Sequence, residues 1–303
     1  MYLKLTILII ALIISSCSYL NELRKKDPFV LKTNDKKSVY FKSFDHSENK
    51  KEYKFIVVGD AGSGFKAQYD VANAIEKKCK NNNCDFVLYL GDNFYDYGVK
   101  SLDDSQFIDK FEKPYKNIDL KFYVILGNHD YRGNIHAQIK YSKKNKKFFL
   151  PNRVYKVKKD FIDIFAIDTN IPYKKQTENL LNELKNSQAR WKIVFGHHPR
   201  YSSGLHGDAS KQLANMLDTS LCNNADFYLA GHDHHKEHTY SKCGVEYVIV
   251  GTGGASLRGI LSNKNNFSIS SYGFSWFKVN NNEAYFEFLD TKGNVEYSFK
   301  KSK

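Results

Sequence analysis

Five short apolar runs, residues 53–58, 86–90, 122–126, 193–195 and 227–230, each stop at a glycine. Runs of this length, rich in Val, Ile, Phe and Tyr, predict buried strands, and the glycine predicts a turn at the carboxyl end of each. Val71, Ala74 and Ile75 share one face of a predicted helix over 71–80, and a helical stretch is expected around 106–111. Leu180, Leu181 and Leu184 line one side of a helix over 177–185. Residues 161–167 are nearly continuous in Ile and Phe, as a strand covered on both faces should be, and 191–195 and 245–250 complete the parallel-type strands. From Gly273 the pattern becomes alternation (Phe274/Trp276, Phe286/Phe288, Val295/Tyr297/Phe299), which predicts antiparallel hairpins with a turn at Gly293-Asn294. The Lys/Asn-rich stretches 77–83, 143–147 and 263–266 read as solvated loops. Alternating strands and helices followed by terminal antiparallel strands predict an α/β fold: two mixed β-sheets packed as a sandwich, flanked by helices.

Metal-binding residue types follow each strand-ending glycine. The blocks are Gly59-Asp60-Ala61-Gly62, Gly91-Asp92-Asn93-Phe94-Tyr95, Gly127-Asn128-His129-Asp130, Gly196-His197-His198-Pro199 and Gly231-His232-Asp233-His234. Open α/β sheets gather their ligands at the carboxyl ends of strands, where these turns belong. Carboxylate, amide and imidazole donors together suit Zn, Fe or Mn. A dinuclear site needs a bridging ligand, and the two oxygens of Asp92 can supply it. Tyr95, three residues later, can return to the same ion, and a phenolate favours Fe(III) over a divalent metal.

With 303 residues the chain can bury one large core. Its net charge of +13 raises the question of nucleic acid. The lysines are scattered, however, without a long basic helix or aromatic–basic alternation, so no nucleic-acid partner is expected; a general attraction for anionic phosphate esters is the milder reading. Lys4, the apolar residues 5–14 and Ser15-Ser16 form an export signal too short for a comfortable membrane span. Residues 14–17 resemble a bacterial lipobox, which would make Cys17 the site of a lipid anchor to a membrane; an ordinary secretory signal is the other reading. Export is expected either way, to a periplasmic, membrane-anchored or secreted location. Cys79, Cys84, Cys222 and Cys243 are an even set that allows three pairings. Cys79–Cys84 with Cys222–Cys243 is preferred, because each closes a short loop beside a metal-bearing strand. The expected plan is a signal with lipobox over 1–17, a polar linker over 18–50 and a monomeric catalytic domain over 51–303.

With these blocks in order, the chain resembles the purple acid phosphatases of the calcineurin-like metallophosphoesterase superfamily, most closely the small tartrate-resistant type, from about Tyr53 to the C-terminus. Gly-Asp-Asn-Phe-Tyr and Gly-His-Asp-His carry the specific part of the likeness. The resemblance implies that Asp60, Tyr95 and His234 hold Fe(III), that Asn128, His197 and His232 hold a divalent ion (Fe, Zn or Mn), and that Asp92 bridges the two. It also implies catalytic roles for Asn128, for His129 facing the substrate phosphate, and for His206, nine residues after His197. The implied reaction is hydrolysis of a phosphate monoester by in-line attack of a metal-activated hydroxide, with an acidic optimum. Ala61 stands where the family commonly has an aromatic residue. The stretch between Asp168 and the helix near Thr177 is shorter than the protease-sensitive loop of the animal enzymes, so no proteolytic control is expected. Two other readings share the fold. One is a metallophosphodiesterase or nucleotidase with two divalent metals, against which Tyr95 argues. The other is a non-catalytic membrane-linked scaffold, against which the complete ligand set argues. Loops over 131–152 and 202–208 are expected to set substrate choice.

Overall fold

A computed structural model describes residues 39–171, 173–263 and 265–303. The export signal and Cys17 lie outside the described residues. The strands are β1 (Lys42–Asp45), β2 (Glu52–Val58), β3 (Phe86–Tyr89), β4 (Lys121–Val124), β5 (Phe148–Phe149), β6 (Tyr155–Lys159), β7 (Ile162–Ala166), β8 (Trp191–Phe195), β9 (Phe227–Ala230), β10 (Lys236–His238), β11 (Glu246–Val250), β12 (Phe267–Ile269), β13 (Gly273–Asn280), β14 (Glu283–Asp290) and β15 (Val295–Ser302). The α-helices are α1 (Lys66–Asn82), α2 (Ile135–Lys144), α3 (Tyr173–Asn186) and α4 (Lys211–Leu221).

Two mixed sheets result, as the pattern predicts, ordered β15-β14-β13-β2-β3-β4-β5 and β1-β6-β7-β8-β9-β11-β10-β12. Each has a parallel heart: β2 to β5 in one, β7, β8, β9 and β11 in the other. The inner faces meet through aromatic rings. Phe55 stacks on Phe86 at 4.8 Å and on Phe277 at 5.0 Å, and Phe277 meets Phe227 of the opposite sheet at 5.7 Å. Polar tips also cross between the sheets, Tyr155 Oη donating to the Val124 carbonyl at 2.9 Å and Trp191 Nε1 to that of Asn280 at 2.6 Å. On the outer face of the second sheet, Leu180, Leu184, Leu213, Met216 and Leu217 of α3 and α4 are buried against Phe165, Val194 and Tyr228. Each such side chain contributes about 1.5–3 kcal/mol on burial.

The structure departs from the sequence reading in several places. Lys42–Asp45, assigned to the linker, form edge strand β1, paired parallel to β6 from Lys42↔Tyr155 to Asp45↔Lys158. The folded region therefore starts before residue 51. Helix α1 runs through to Asn82, across a stretch expected to be loop, because those lysines and asparagines extend a helix whose buried side holds Val71, Ala72, Ala74 and Ile75. Asn83, at φ 62°, ends it. Residues 131–152 are not an open loop but contain α2 and β5; Asn134 caps α2 by accepting from Ala137 N at 3.1 Å. The stretch around 106–111 is one wide helical turn, Ile108–Glu112, closed by Lys113 N to Ile108 O at 2.9 Å. Both preferred disulfides, Cys79–Cys84 and Cys222–Cys243, are formed. No helix among the described residues is long and apolar enough to cross a membrane.

Candidate metal centre

Strands β2, β3 and β4 lie side by side and deliver Asp60, Asp92 and Asn128 at their carboxyl ends; β8 and β9 do the same for His197 and His232. Three of these residues turn sharply. Asp60, Asp92 and His232 adopt φ of 55°, 51° and 70°, the left-handed region that side chains avoid at a cost of about 1–2 kcal/mol. Each follows a glycine, and the reversal aims the side chain across the strand ends. Two other close approaches demand glycine itself. A Cβ on Gly127 would sit 2.1 Å from Asp92 Oδ1, and one on Gly231 would sit 2.3 Å from Asp60 Oδ2.

The donor atoms converge. Tyr95 Oη lies 2.9 Å from Asp60 Oδ1 and 3.2 Å from His234 Nε2, which is 3.5 Å from the same carboxylate oxygen. Alongside, Asn128 Oδ1 lies 3.1 Å from His197 Nε2 and 3.0 Å from His232 Nδ1, and those two nitrogens are 3.3 Å apart. Asp92 Oδ2 stands 3.4 Å from His197 Nε2, and its Oδ1 accepts from His129 N at 2.8 Å. All seven predicted ligands thus meet at one place, three donors on one side, three on the other, with Asp92 beside the second set. Outer contacts fix the rings: His197 Nδ1 bonds the Leu90 carbonyl at 2.8 Å and His234 Nδ1 that of Ser256 at 2.6 Å. Each ring is left with its Nε2 facing the centre.

Asp60 and Asp92 are fully buried, yet among the described residues neither pairs with a Lys or Arg. Buried carboxylates need counter-charge. Burial opposes ionisation of His197, but the charges of Asp92 and Asp60 overcome this and raise its pKa to about 10. Tyr95 is pushed above its ordinary value by burial and then by Asp60 and Asp92. An oxygen- and imidazole-rich cradle with two buried carboxylates that no Lys or Arg pairs, among the described residues, fits cations of the Fe, Zn or Mn type.

Around this cluster stand the two histidines implied as catalytic. His129 packs against the Tyr95 ring at 4.5 Å, with Nε2 3.9 Å from Asp92 Oδ2. His206 stacks on His232 at 4.1 Å, held there by its backbone N–H to Asp233 Oδ1 at 3.2 Å. Sequence reasoning gave no role to Asp130, although it ends the third block. Its buried carboxylate accepts from Gly127 N at 2.8 Å, Asn93 N at 3.1 Å and Gln138 Nε2 at 2.9 Å, tying the second block to the third. His198 is buried behind His232, 4.4 Å from its ring, with Nδ1 2.7 Å from Thr169 Oγ1. His235 and His238 are buried away from the donors and paired with Glu237 and Glu246, and His46 bonds Tyr123.

Residues 53–236 match the calcineurin-like phosphoesterase family. Purple acid phosphatase 7 of Arabidopsis thaliana is 32% identical over 275 residues, covering 80% of this chain and 83% of that protein. Human tartrate-resistant acid phosphatase type 5 is 31% identical over 239 residues, covering 66% of this chain and 72% of that one. Among solved structures, GAP50, described as the anchor in the inner membrane complex of Plasmodium, superimposes with a TM-score of 0.71 at 26% identity, covering 84% of this chain and 89% of its own. A purple acid phosphatase from yellow lupin gives a TM-score of 0.66 at 18% identity, over 84% of this chain and 54% of that one, which bears on the fold alone. The convergent donors and these relatives agree: the chain belongs to the calcineurin-like phosphoesterase family, in the branch of the purple and tartrate-resistant acid phosphatases.

Proposed function

We propose that this protein is an exported acid phosphatase that hydrolyses phosphate monoesters at a dinuclear centre of Fe(III) and a divalent ion. The observation that carries the reading is the meeting of two donor groups, Asp60 with Tyr95 and His234, and Asn128 with His197 and His232, with Asp60, Asp92 and His197 ligand atoms lying within 4.8 Å of one another. Asp60, Tyr95 and His234 would hold the ferric ion, Asn128, His197 and His232 the divalent ion, and Asp92 both. When bound, such a pair lowers the pKa of water and neutralises phosphoryl charge. The chain's own residues do the rest. Asn128, whose Oδ1 meets His197 Nε2 at 3.1 Å and His232 Nδ1 at 3.0 Å, would help to orient the phosphate. His129 donates its Nδ1–H to the Asp96 carbonyl at 2.8 Å, which keeps Nε2 toward Asp92 as the atom that would pass a proton to the departing alcohol when the ring is protonated. His206, stacked on His232, stands as the second proton carrier. Export and the Cys17 anchor belong to this proposal through the N-terminal signal.

The likeness to GAP50 supports a second reading, a membrane-linked scaffold on the same fold. Metal analysis with turnover of an aryl phosphate separates them. Asp92→Ala should lose bound metal and activity together. A fully metal-loaded wild type that leaves the aryl phosphate intact would favour the scaffold.

A further inference from the structure

Behind the loop that carries His206 lies a buried carboxylate that the proposed chemistry leaves unused. Glu237 sits on β10, three positions after the candidate ligand His234, and is fully buried. Among the described residues it pairs with no Lys or Arg; His235 Nε2 donates to its Oε2 at 2.6 Å. The loop supplies more donors. Ser203 N donates to Oε2 at 2.9 Å and Ser203 Oγ to Oε1 at 3.0 Å, while Asn265 Nδ2 reaches Oε1 at 3.3 Å and Ser203 Oγ at 2.8 Å. Ser203 is pinned from the other side as well, its carbonyl accepting from Leu261 N at 2.7 Å and Ser262 N at 3.2 Å. A Cβ on Gly204 would sit 2.6 Å from His235 Cε1, so the loop lies directly on that ring.

His206 stands three residues beyond Ser203. Its backbone N–H goes to Asp233 Oδ1, and Arg258 Nη1, from the segment that leads into Leu261, donates to its Nε2. The two segments that place its ring, 202–206 and 258–262, therefore meet at Ser203, and Glu237 holds Ser203. Burying a carboxylate is costly; here four donors offset the cost, two of them from this one loop residue. We infer that Glu237 is a positioning residue: it latches the 202–206 loop so that the His206 imidazole stays stacked on His232, beside the candidate centre. The inference rests on the phosphatase reading for what His206 does there, while the latch itself does not. His129 is held instead through Asp92 and Asp96, which makes it an internal control.

The test uses the metal-loaded full chain and two esters. Nitrophenolate departs from p-nitrophenyl phosphate without a proton, whereas the alkoxide of glycerol phosphate needs one, so a displaced acid is felt on the second ester. Glu237→Ala should keep its bound metal by elemental analysis and lower kcat on glycerol phosphate roughly tenfold more than kcat on p-nitrophenyl phosphate. His206→Ala should show the same selective loss. Combined, the two should be no worse than His206→Ala alone, while Glu237→Ala should multiply the loss of His129→Ala. Glu237→Gln, which keeps an oxygen for Ser203 N and an amide for Ser203 Oγ, should recover most of the difference. Ser203→Ala, a milder cut that removes only the Oγ bonds, should show a weaker form of the selective loss. Equal losses on both esters in these variants, or a full further loss on top of His206→Ala, would mean general damage and overturn the inference. Amide hydrogen exchange over 202–208 reads the latch without turnover. Faster exchange in Glu237→Ala, with a wild type that hydrolyses neither ester, would end the phosphatase reading and keep the latch. Wild-type hydrolysis of both esters with unchanged exchange in the variant would do the reverse.

Discussion

Adding a single carbon at Gly127 should empty the centre. The Cβ of Gly127→Ala would lie 2.1 Å from Asp92 Oδ1, 2.8 Å from its Cγ and 2.3 Å from its backbone nitrogen, whereas real Cβ contacts stay above 3.0 Å. The oxygen must retreat by close to an ångström, and the nitrogen cannot rotate away, so the turns after β3 and β4 must part. The bond from His129 N to Asp92 Oδ1, 2.8 Å in the wild type, goes with them. Overpacking of this kind costs about 1–3 kcal/mol. Metal sites tolerate about 0.2 Å of ligand displacement, and a misplacement of about 1 Å can lower turnover about 100-fold. Elemental analysis after dialysis, thermal melting and kcat/KM on an aryl phosphate would read all three effects. Gly259→Ala is the control, since nothing lies within 4 Å of its added carbon, and it should stay within about 0.5 kcal/mol of wild type. Full metal content and undiminished turnover in Gly127→Ala would refute the idea that this turn is shaped around Asp92.

Tyr95→Phe removes the phenol that donates to Asp60 at 2.9 Å; the iron-loaded protein should lose its visible absorption while melting falls by about 1 kcal/mol, and retained colour would exclude the phenolate. The Asp160 carboxylate accepts from the backbone N–H groups of Glu48, Asn49 and Lys50 and from the Tyr53 hydroxyl, and these bonds outweigh burial and hold its pKa below the ordinary 3.8. Its contribution is therefore full above pH 3.8 and lost as pH falls through the lower folded value. Asp160→Asn should melt earlier than wild type at neutral pH, and a gap that stays open far below that range would contradict the assignment. Cys222–Cys243 spans 21 residues and Cys79–Cys84 spans 5, so serine pairs should cost about 3 and about 2 kcal/mol respectively by chain entropy, measured by denaturant unfolding.

What could be read from the chain was local. A strand ending in Gly-Asp or Gly-His puts its ligand on the next turn, so five apolar runs were enough to locate Asp60, Asp92, Asn128, His197 and His232. The missing parts depend on distant partners. Strand β1, Lys-Ser-Phe-Asp, has no apolar run of its own and exists because β6, more than a hundred residues later, offers an edge. Arg258 reaches His206 across 52 positions, and nothing near either residue announces the contact. Helix α2 was hidden by its lysines, although the cap at Asn134 could have flagged it. Asp130 was visible in its block, but its work, joining two turns through Gly127, Asn93 and Gln138, appears only once the strands lie side by side.

The candidate ligand sets draw on both layers of the sandwich. Asp60 and Tyr95 follow strands of one sheet and His234 follows a strand of the other; Asn128 is opposed in the same way by His197 and His232. Each ion would then act as a rivet through the whole molecule. Because binding to the folded state alone stabilises it by mass action, iron supply would govern how long this protein survives as well as how fast it works. Chelation should loosen one layer against the other before either unravels, and protection from proteolysis should track metal occupancy.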